Sequence, residues 1–337
     1  MIEDIENYDL IIVGNGICAQ SILFEIRKSP RFNLDTLKIA HVFNDKLLSP
    51  CSENTTSVVS LSGVSKGVSP LGDLIYDSYD YTAQLARLEL SDYFHSASQY
   101  HIFEDDTNSD QFNKRYDLPR KHQLLEREFL AHKDECFVVD NTSLLKYLEE
   151  LNSSLNLNKI QDTLVHIDDS RVIHLASGKK ISAKKVILAM GAYSNHFLPS
   201  IEHAHLSYSK KVPGDYVSFT NLDLGKECFV LTKGHYNLVY RSFSKEVLIG
   251  GTTLKNDLSA TEFMPLDELY QYFSKFIDDI PKLMSGEIRK GLRHKGRKRM
   301  PFLGEISSGI YSFHGVYKNG FTFSFYMANQ FIRDFEL

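Results

Sequence analysis

The chain has no tryptophan, and only 4 cysteines and 9 prolines among its 337 residues. Cys18, Cys51, Cys136 and Cys228 are widely scattered, with no Cys-x-x-Cys pair and no histidine at metal-ligand spacing. That spacing argues against a zinc ribbon and a disulfide framework; buried thiols in a reducing compartment and no bound metal are expected. No apolar run approaches the roughly 20 residues of a membrane-spanning helix. The acidic start, Met1-Ile2-Glu3-Asp4-Ile5-Glu6, lacks the basic-then-apolar pattern of a leader, so a cytoplasmic location is expected. An excess of positive charge is missing too: the net charge of −5 argues against a general nucleic-acid binder. There is no internal repeat and no low-complexity segment.

What is present starts at once. Tyr8 to Val13 reads as a buried strand that runs into Gly14-Asn15-Gly16-Ile17-Cys18-Ala19, a Gly-x-Gly-x-x-Ala turn. Gly14 allows a sharp turn, Gly16 lets backbone approach a pyrophosphate, and Ala19 keeps the next helix, roughly Ile17 to Lys28, close to the sheet. A second strand, Leu37 to Phe43, follows at the distance of a βαβ unit. An acidic residue normally ends this strand and holds the ribose. Here Asn44-Asp45 stands there, so either Asp45 in a shifted register or Asn44 through a neutral bond takes that role.

From Asp73 the character changes to a long helical pattern and then an exposed polar stretch, Glu104 to Asp110, as expected of an inserted second domain. The chain is expected to return to the first domain near Cys136. A short hairpin over Arg171 to Ile181 feeds Val186-Ile187-Leu188-Ala189-Met190-Gly191, a buried strand ending in glycine. From Leu206 to Thr253 the β-branched and aromatic content predicts an antiparallel sheet, with Leu238–Arg241 and Val247–Gly251 as paired strands. Pro265 then opens an amphipathic helix carrying Leu266, Leu269, Tyr270, Phe273, Phe276 and Ile277 on one side.

Taken in order, Gly14/Gly16/Ala19, Ser69-Pro70-Leu71, Val186 to Ala192, Gly250-Gly251-Thr252, Gly291-Leu292-Arg293, Pro301 to Gly304 and Gly315 to Phe321 resemble the D-amino acid oxidase and glycine oxidase superfamily of FAD-dependent oxidoreductases. The resemblance covers nearly the whole chain. It implies an α/β fold: a Rossmann-type FAD-binding domain in three pieces (1–72, 136–205 and 290–337) and an interleaved α+β substrate domain (73–135 and 206–289) built on an antiparallel sheet. It implies noncovalent FAD, with the pyrophosphate on Gly14, Gly16, Ile17, Cys18 and Ala19. The loop Ser49 to Thr56, with Asn54, Thr55 and Thr56, would run beside the ribityl chain and ring. Leu164, Val165, Ala189 and Gly191 would add contacts. Lys318, Asn319, Gly320, Phe321 and Thr322 would reach the pyrimidine edge, where a helix N-terminus favours negative charge.

The chemistry implied is hydride removal beside an amine, with dioxygen as the final acceptor. Arg293 falls where the family places its carboxylate-binding arginine, and a bidentate fork suits that task. Tyr240 and Tyr236 are candidates for a substrate-facing hydroxyl, and Lys255 for assisting dioxygen reduction. Arg289 to Arg299 departs from the family pattern: it is rich in cations and holds no carboxylate, with Lys298 where an aspartate is common. One reading is a rim for a small anionic amine or amino acid. The other is a docking surface for an acidic partner protein, as in the branch of the superfamily that helps make protein-derived quinone cofactors.

Overall fold

The computed structural model describes residues 5–44, 51–61, 63–104, 116, 119–168, 170–194, 204–253, 263–277 and 280–337. These divide into two units, the first comprising Met1–Glu53, Asn141–Val212 and Leu292–Leu337, the second Asn54–Asp140 and Pro213–Gly291.

The first unit is built around β1 (Glu6–Val13). Leu10, Ile11, Ile12 and Val13 are all buried, as a strand paired on both edges and covered on both faces requires. β1 runs parallel to β2 (Ile39–Phe43) on one side and to β10 (Lys180–Leu188) on the other. Parallel pairing continues outward to β7 (Leu157–Gln161) beyond β2 and to β17 (Ile310–His314) beyond β10. β16 (Phe302–Ser307) closes that edge antiparallel, and β8 (Leu164–Ile167) and β9 (Val172–Leu175) pair antiparallel beside the start of β10. The order β7-β2-β1-β10-β17 reverses direction between β1 and β10, the switch point at which doubly wound sheets leave a crevice beyond their strand ends. The described helices of this unit include α1 (Ile17–Lys28), α3 (Asn141–Asn152), the short α4 (Ala204–Ser207) and α6 (Gly320–Asp334), with α1 and α6 joined by an edge-to-face Phe24–Phe325 pair at 5.6 Å.

The second unit holds α2 (Pro70–Leu88), which starts as its sequence dictates: Ser69 accepts from the Gly72 amide at 3.1 Å and Pro70 occupies the first turn. Its sheet follows the order β15-β11-β14-β13-β12-β4-β6-β3, with β5 (Arg120–Leu124) on β6. These strands are β3 (Val58–Val59), β4 (Phe94–Ile102), β6 (Arg127–Val139), β11 (Lys210–Phe219), β12 (Cys228–Lys233), β13 (Tyr236–Arg241), β14 (Glu246–Gly250) and β15 (Glu287–Lys295). The hairpins are antiparallel, including the expected β13–β14 pair, but the sheet is mixed, because β12 runs parallel to β4. One face packs beneath α5 (Phe263–Phe273) through Val217, Phe219, Leu238, Tyr240, Leu266 and Phe273. Phe276 and Ile277 join this core from beyond the helix end.

The unit boundaries differ from those read from the sequence pattern. Residues 54–72 and 136–140 belong to the second unit, because Val58 and Val59 pair with Val138 and Phe137 inside its sheet. Residues 206–212 belong to the first unit and 290–291 to the second. No described helix is long and apolar enough to cross a membrane.

Candidate functional site

At the switch point the backbone of Gly14 is wedged between two strand ends. Its amide donates to Val42 O at 2.8 Å, and the Ala189 amide donates to Val13 O at 2.8 Å. With φ at +116° and Ala189 O 2.4 Å from where a Cβ would stand, only glycine fits. His41, which the sequence pattern gives no reason to single out, secures the turn from below. Its Nε2 lies 2.7 Å from Gly14 O, and burial pushes the ring down to about 4, so at neutral pH it is uncharged and donates to that carbonyl. Gly191, beyond β10, adopts φ +54° with open space where a side chain would be.

Gly16 is the N-cap of α1 and offers no side-chain cap. Its carbonyl accepts from the amides of Ala19 and Gln20, while the Ile17 amide donates to Ser52 Oγ at 3.0 Å. Ser52 lies within the loop expected beside the cofactor, and Asn141 fixes its segment by donating to Ser52 O and Glu53 O at 3.0 and 2.9 Å. Cys18 and Ala19 are buried. The Cys18 thiol lies 3.5 Å from Ser324 Oγ on α6, and burial pushes it up to about 12, so it packs the two helices together. The N-terminus of α6 lies beside that of α1: a Cβ on Gly320 would be 3.6 Å from Ile17 Cγ2. Asn319 precedes α6 as its N-cap without a side-chain bond, its carbonyl accepting from the Thr322 and Phe323 amides. Phe321 and Thr322 are buried, so their backbone is what the first turn presents. Two helix N-termini and a turn with glycine at Gly14 and Gly16 thus meet, a fit for the phosphates and an electron-rich ring edge of a dinucleotide.

Asn44 follows β2, and its side-chain amide donates to Thr163 Oγ1 at 2.8 Å; Asp45 lies outside the described residues. Leu164 is a core residue, while Val165 sits at a register shift in the β8–β9 pairing with its side chain exposed. Asn54, Thr55 and Thr56 belong to the second unit, where Thr55 O accepts from Arg241 at 3.4 Å.

Arg293 stands on β15 where that strand meets the last loop. Lys295 bridges Val316, and the Tyr317 amide donates to His294 O at 3.0 Å. This pairing gathers cations on one ring: Arg293, Lys295 and Lys318 lie 5.7, 5.7 and 6.0 Å from the Tyr317 centroid. Burial first, then Arg293 and Arg299, brings Lys318 down to about 8. Burial pushes the Cys51 thiol up to about 11, against the pull of Arg293. Tyr317, Lys298 and Arg299 all adopt left-handed backbone, at φ +50°, +52° and +67°, a strained choice for such residues. No sequence pattern marks it.

In the second unit Tyr240 is fully buried in the core, its hydroxyl donating to Gly225 O and accepting from the Leu224 amide, both at 3.0 Å. Tyr236 is on the same face of β13 and packs against that core. Lys255 lies outside the described residues. The opposite face of β13 carries Arg241, buried and paired with Glu246 at 3.3 Å, an internal ion pair that Ser218 completes by donating to Glu246 at 2.6 Å. Among the described residues no group of three His, Cys, Asp or Glu side chains is arranged to hold a metal.

The family model described as FAD dependent oxidoreductase (DAO) matches residues 9–332. No curated protein matches the sequence. Among solved structures, glycine oxidase from Geobacillus kaustophilus superposes with a TM-score of 0.76 at 17% identity, over 98% of this chain and 94% of that one. Iminodiacetate oxidase from Chelativorans sp. BNC1 gives 0.74 at 16%, over 95% and 93%. L-α-glycerophosphate oxidase from Mycoplasma pneumoniae, with FAD bound, gives 0.74 at 14%, over 99% and 96%. At these identities the superpositions speak for the fold alone. The match over residues 9–332, on a sheet whose switch point carries the Gly14 turn, places this chain in the DAO family of FAD-dependent oxidoreductases.

Proposed function

We propose that the protein oxidises a small amine or amino acid that carries an anionic group, using noncovalently held FAD. The observation that carries this reading is the convergence of Arg293 and Lys318 on Tyr317, with Lys318 two residues before the N-terminus of α6. FAD, when bound, supplies a two-electron acceptor for a hydride from the carbon beside the amine.

The chain's own residues do the rest. Gly14, Gly16 and the first turn of α1 would hold the pyrophosphate, and the N-terminus of α6 would favour an electron-rich pyrimidine edge. Arg293 holds the substrate carboxylate in a two-pronged grip, which fixes the carbon to be oxidised at one distance and one face. Loss of hydride and of the amine proton leaves an imine, which water hydrolyses to a carbonyl compound and ammonia. Dioxygen takes up the two electrons and two protons to give hydrogen peroxide. The three structural neighbours named above take their names from glycine, iminodiacetate and glycerophosphate, each of which bears a carboxylate or a phosphate.

Anaerobic mixing with a panel of amines and amino acids, followed by the visible absorbance of the flavin, tests the reading. At least one anionic amine bleaches the flavin, and Arg293→Ala, with flavin retained, raises the concentration needed by about a hundredfold. Failure of every compound in the panel would sink the proposal. Arg293→Ala protein unable to hold flavin would make Arg293 structural instead.

A further inference from the structure

Arg293 depends for its place on the residues that follow it. β15 leaves the second unit at Gly291 and enters the first at Leu292, so Arg293 is only the second residue of the strand to belong to the unit that carries the Gly14 turn. His294 comes next. Side chains alternate along a strand, so its ring turns to the face away from Arg293 and Lys295. There it is buried, with Nε2 2.8 Å from Ser209 Oγ. Its backbone is fixed as well: the His294 carbonyl accepts from the Tyr317 amide at 3.0 Å, and Lys295 bridges Val316.

The ring also meets the sheet of the first unit. It packs against His314 of β17, with centroids 5.0 Å apart and planes at 33°. His314 Nδ1 lies 2.9 Å from Ser312 Oγ, and Ser312 donates to Leu188 O at 3.4 Å. Leu188 ends β10 and is paired with Val13, the residue before Gly14. A short run of side chains therefore joins β15 to the strand ends between which the glycine turn is wedged. Burial brings the His294 ring down to about 4, so at neutral pH it adds no charge to the cations on the opposite face. What it contributes is position.

We infer that His294 is a positioning residue for the substrate: without touching it, the ring seats β15 on the sheet of the first unit and so fixes where Arg293 offers its guanidinium. A shift of about 1 Å in the strand is enough to spoil a two-pronged grip on a carboxylate. The inference rests on the reading of Arg293 as the carboxylate ligand.

The test uses the flavin-loaded protein and follows the shift of its visible spectrum on titration with acetate at fixed pH and ionic strength. His294→Leu is close to the ring in volume but lacks its polar atoms. Acetate then binds about tenfold more weakly, while the affinity for flavin, measured by flavin fluorescence, changes by less than about twofold. His294→Gln puts an amide within reach of Ser209 Oγ and restores most of the acetate affinity. Ser209→Ala, which removes the hydroxyl and leaves the ring in place, reproduces the loss. The double variant is no worse than His294→Leu alone, because both act through one contact. Acetate affinity unmoved in His294→Leu and in Ser209→Ala overturns the inference. So does a loss that His294→Gln fails to recover, or an equal loss of acetate and flavin, which marks a ring that only supports the fold. Arg293→Ala separates the two readings. If it binds acetate as the unaltered protein does, the assignment of Arg293 fails and the inference with it; if it loses acetate while His294→Leu does not, the inference alone falls.

Discussion

Lys318 holds its proton less firmly than an ordinary lysine, because burial and then Arg293 and Arg299 disfavour its charged form. An anion bound beside it favours that form, so binding raises its proton affinity. The sign follows: affinity for the anion is full below about 8, and falls as pH rises from there toward the higher value of the bound state. Malonate titrations between pH 6.5 and 9.5 should therefore show a decline centred above 8 that Lys318→Arg abolishes. A flat profile for the unaltered protein would mean that Lys318 does not meet the anion. At the same scale, Gly14→Ala combines a φ of +116° with a Cβ placed 2.4 Å from Ala189 O. The expected result is a loss of flavin and of about 3 kcal/mol of stability, measured by flavin fluorescence and urea unfolding.

The elements that were readable from the sequence are those whose geometry is dictated locally. The Gly14–Ala19 turn, the Ser69-Pro70 start of α2 and the apolar stripe of α5 each depend on a few consecutive residues, and each appears where the pattern puts it. β13 shows the limit. Both its faces are covered, so hydrophobic alternation is absent, and which side chains meet the α5 core is a one-residue question that the sequence does not answer. The choice of Tyr236 and Tyr240 selected the face packed against α5, whereas the polar side chains of Arg241 and Asn237 lie on the other. The same non-locality hid the pairing of Val58-Val59 with Phe137-Val138, and so displaced the unit boundaries. If Tyr240 is structural, Tyr240→Phe leaves two backbone groups without their shared hydroxyl and costs about 1–2 kcal/mol in denaturant unfolding, with unaltered substrate turnover. A turnover defect at unchanged stability would return Tyr240 to the candidate site.

At the scale of the whole molecule the same buried network that shapes the flavin cradle sets its tolerance of acid. His41 and His294 are both buried, and burial brings each down to about 4, while an unfolded chain holds its histidines near 6.5. Between those values the unfolded state binds protons that the folded state refuses. Stability therefore falls as pH drops from about 6.5, and the loss levels off below about 4, at about 3 kcal/mol for each ring. The carboxylates held low in the fold, Asp9 by Lys184 and Glu6 by Tyr8 and Lys179, act in a different window, because their contribution is lost only as pH falls through the carboxylate range. They are also solvent-exposed enough to matter little. Urea unfolding at pH 7, 6, 5 and 4.5 should thus show stability falling from about pH 6.5 downward, and flavin should dissociate along the same curve, since His41 donates to the carbonyl of Gly14. His41→Gln keeps a donor at that carbonyl and cannot titrate, so it should remove about half of the slope between pH 6.5 and 4.5. An unchanged slope in that variant would show that the acid response resides elsewhere in the fold.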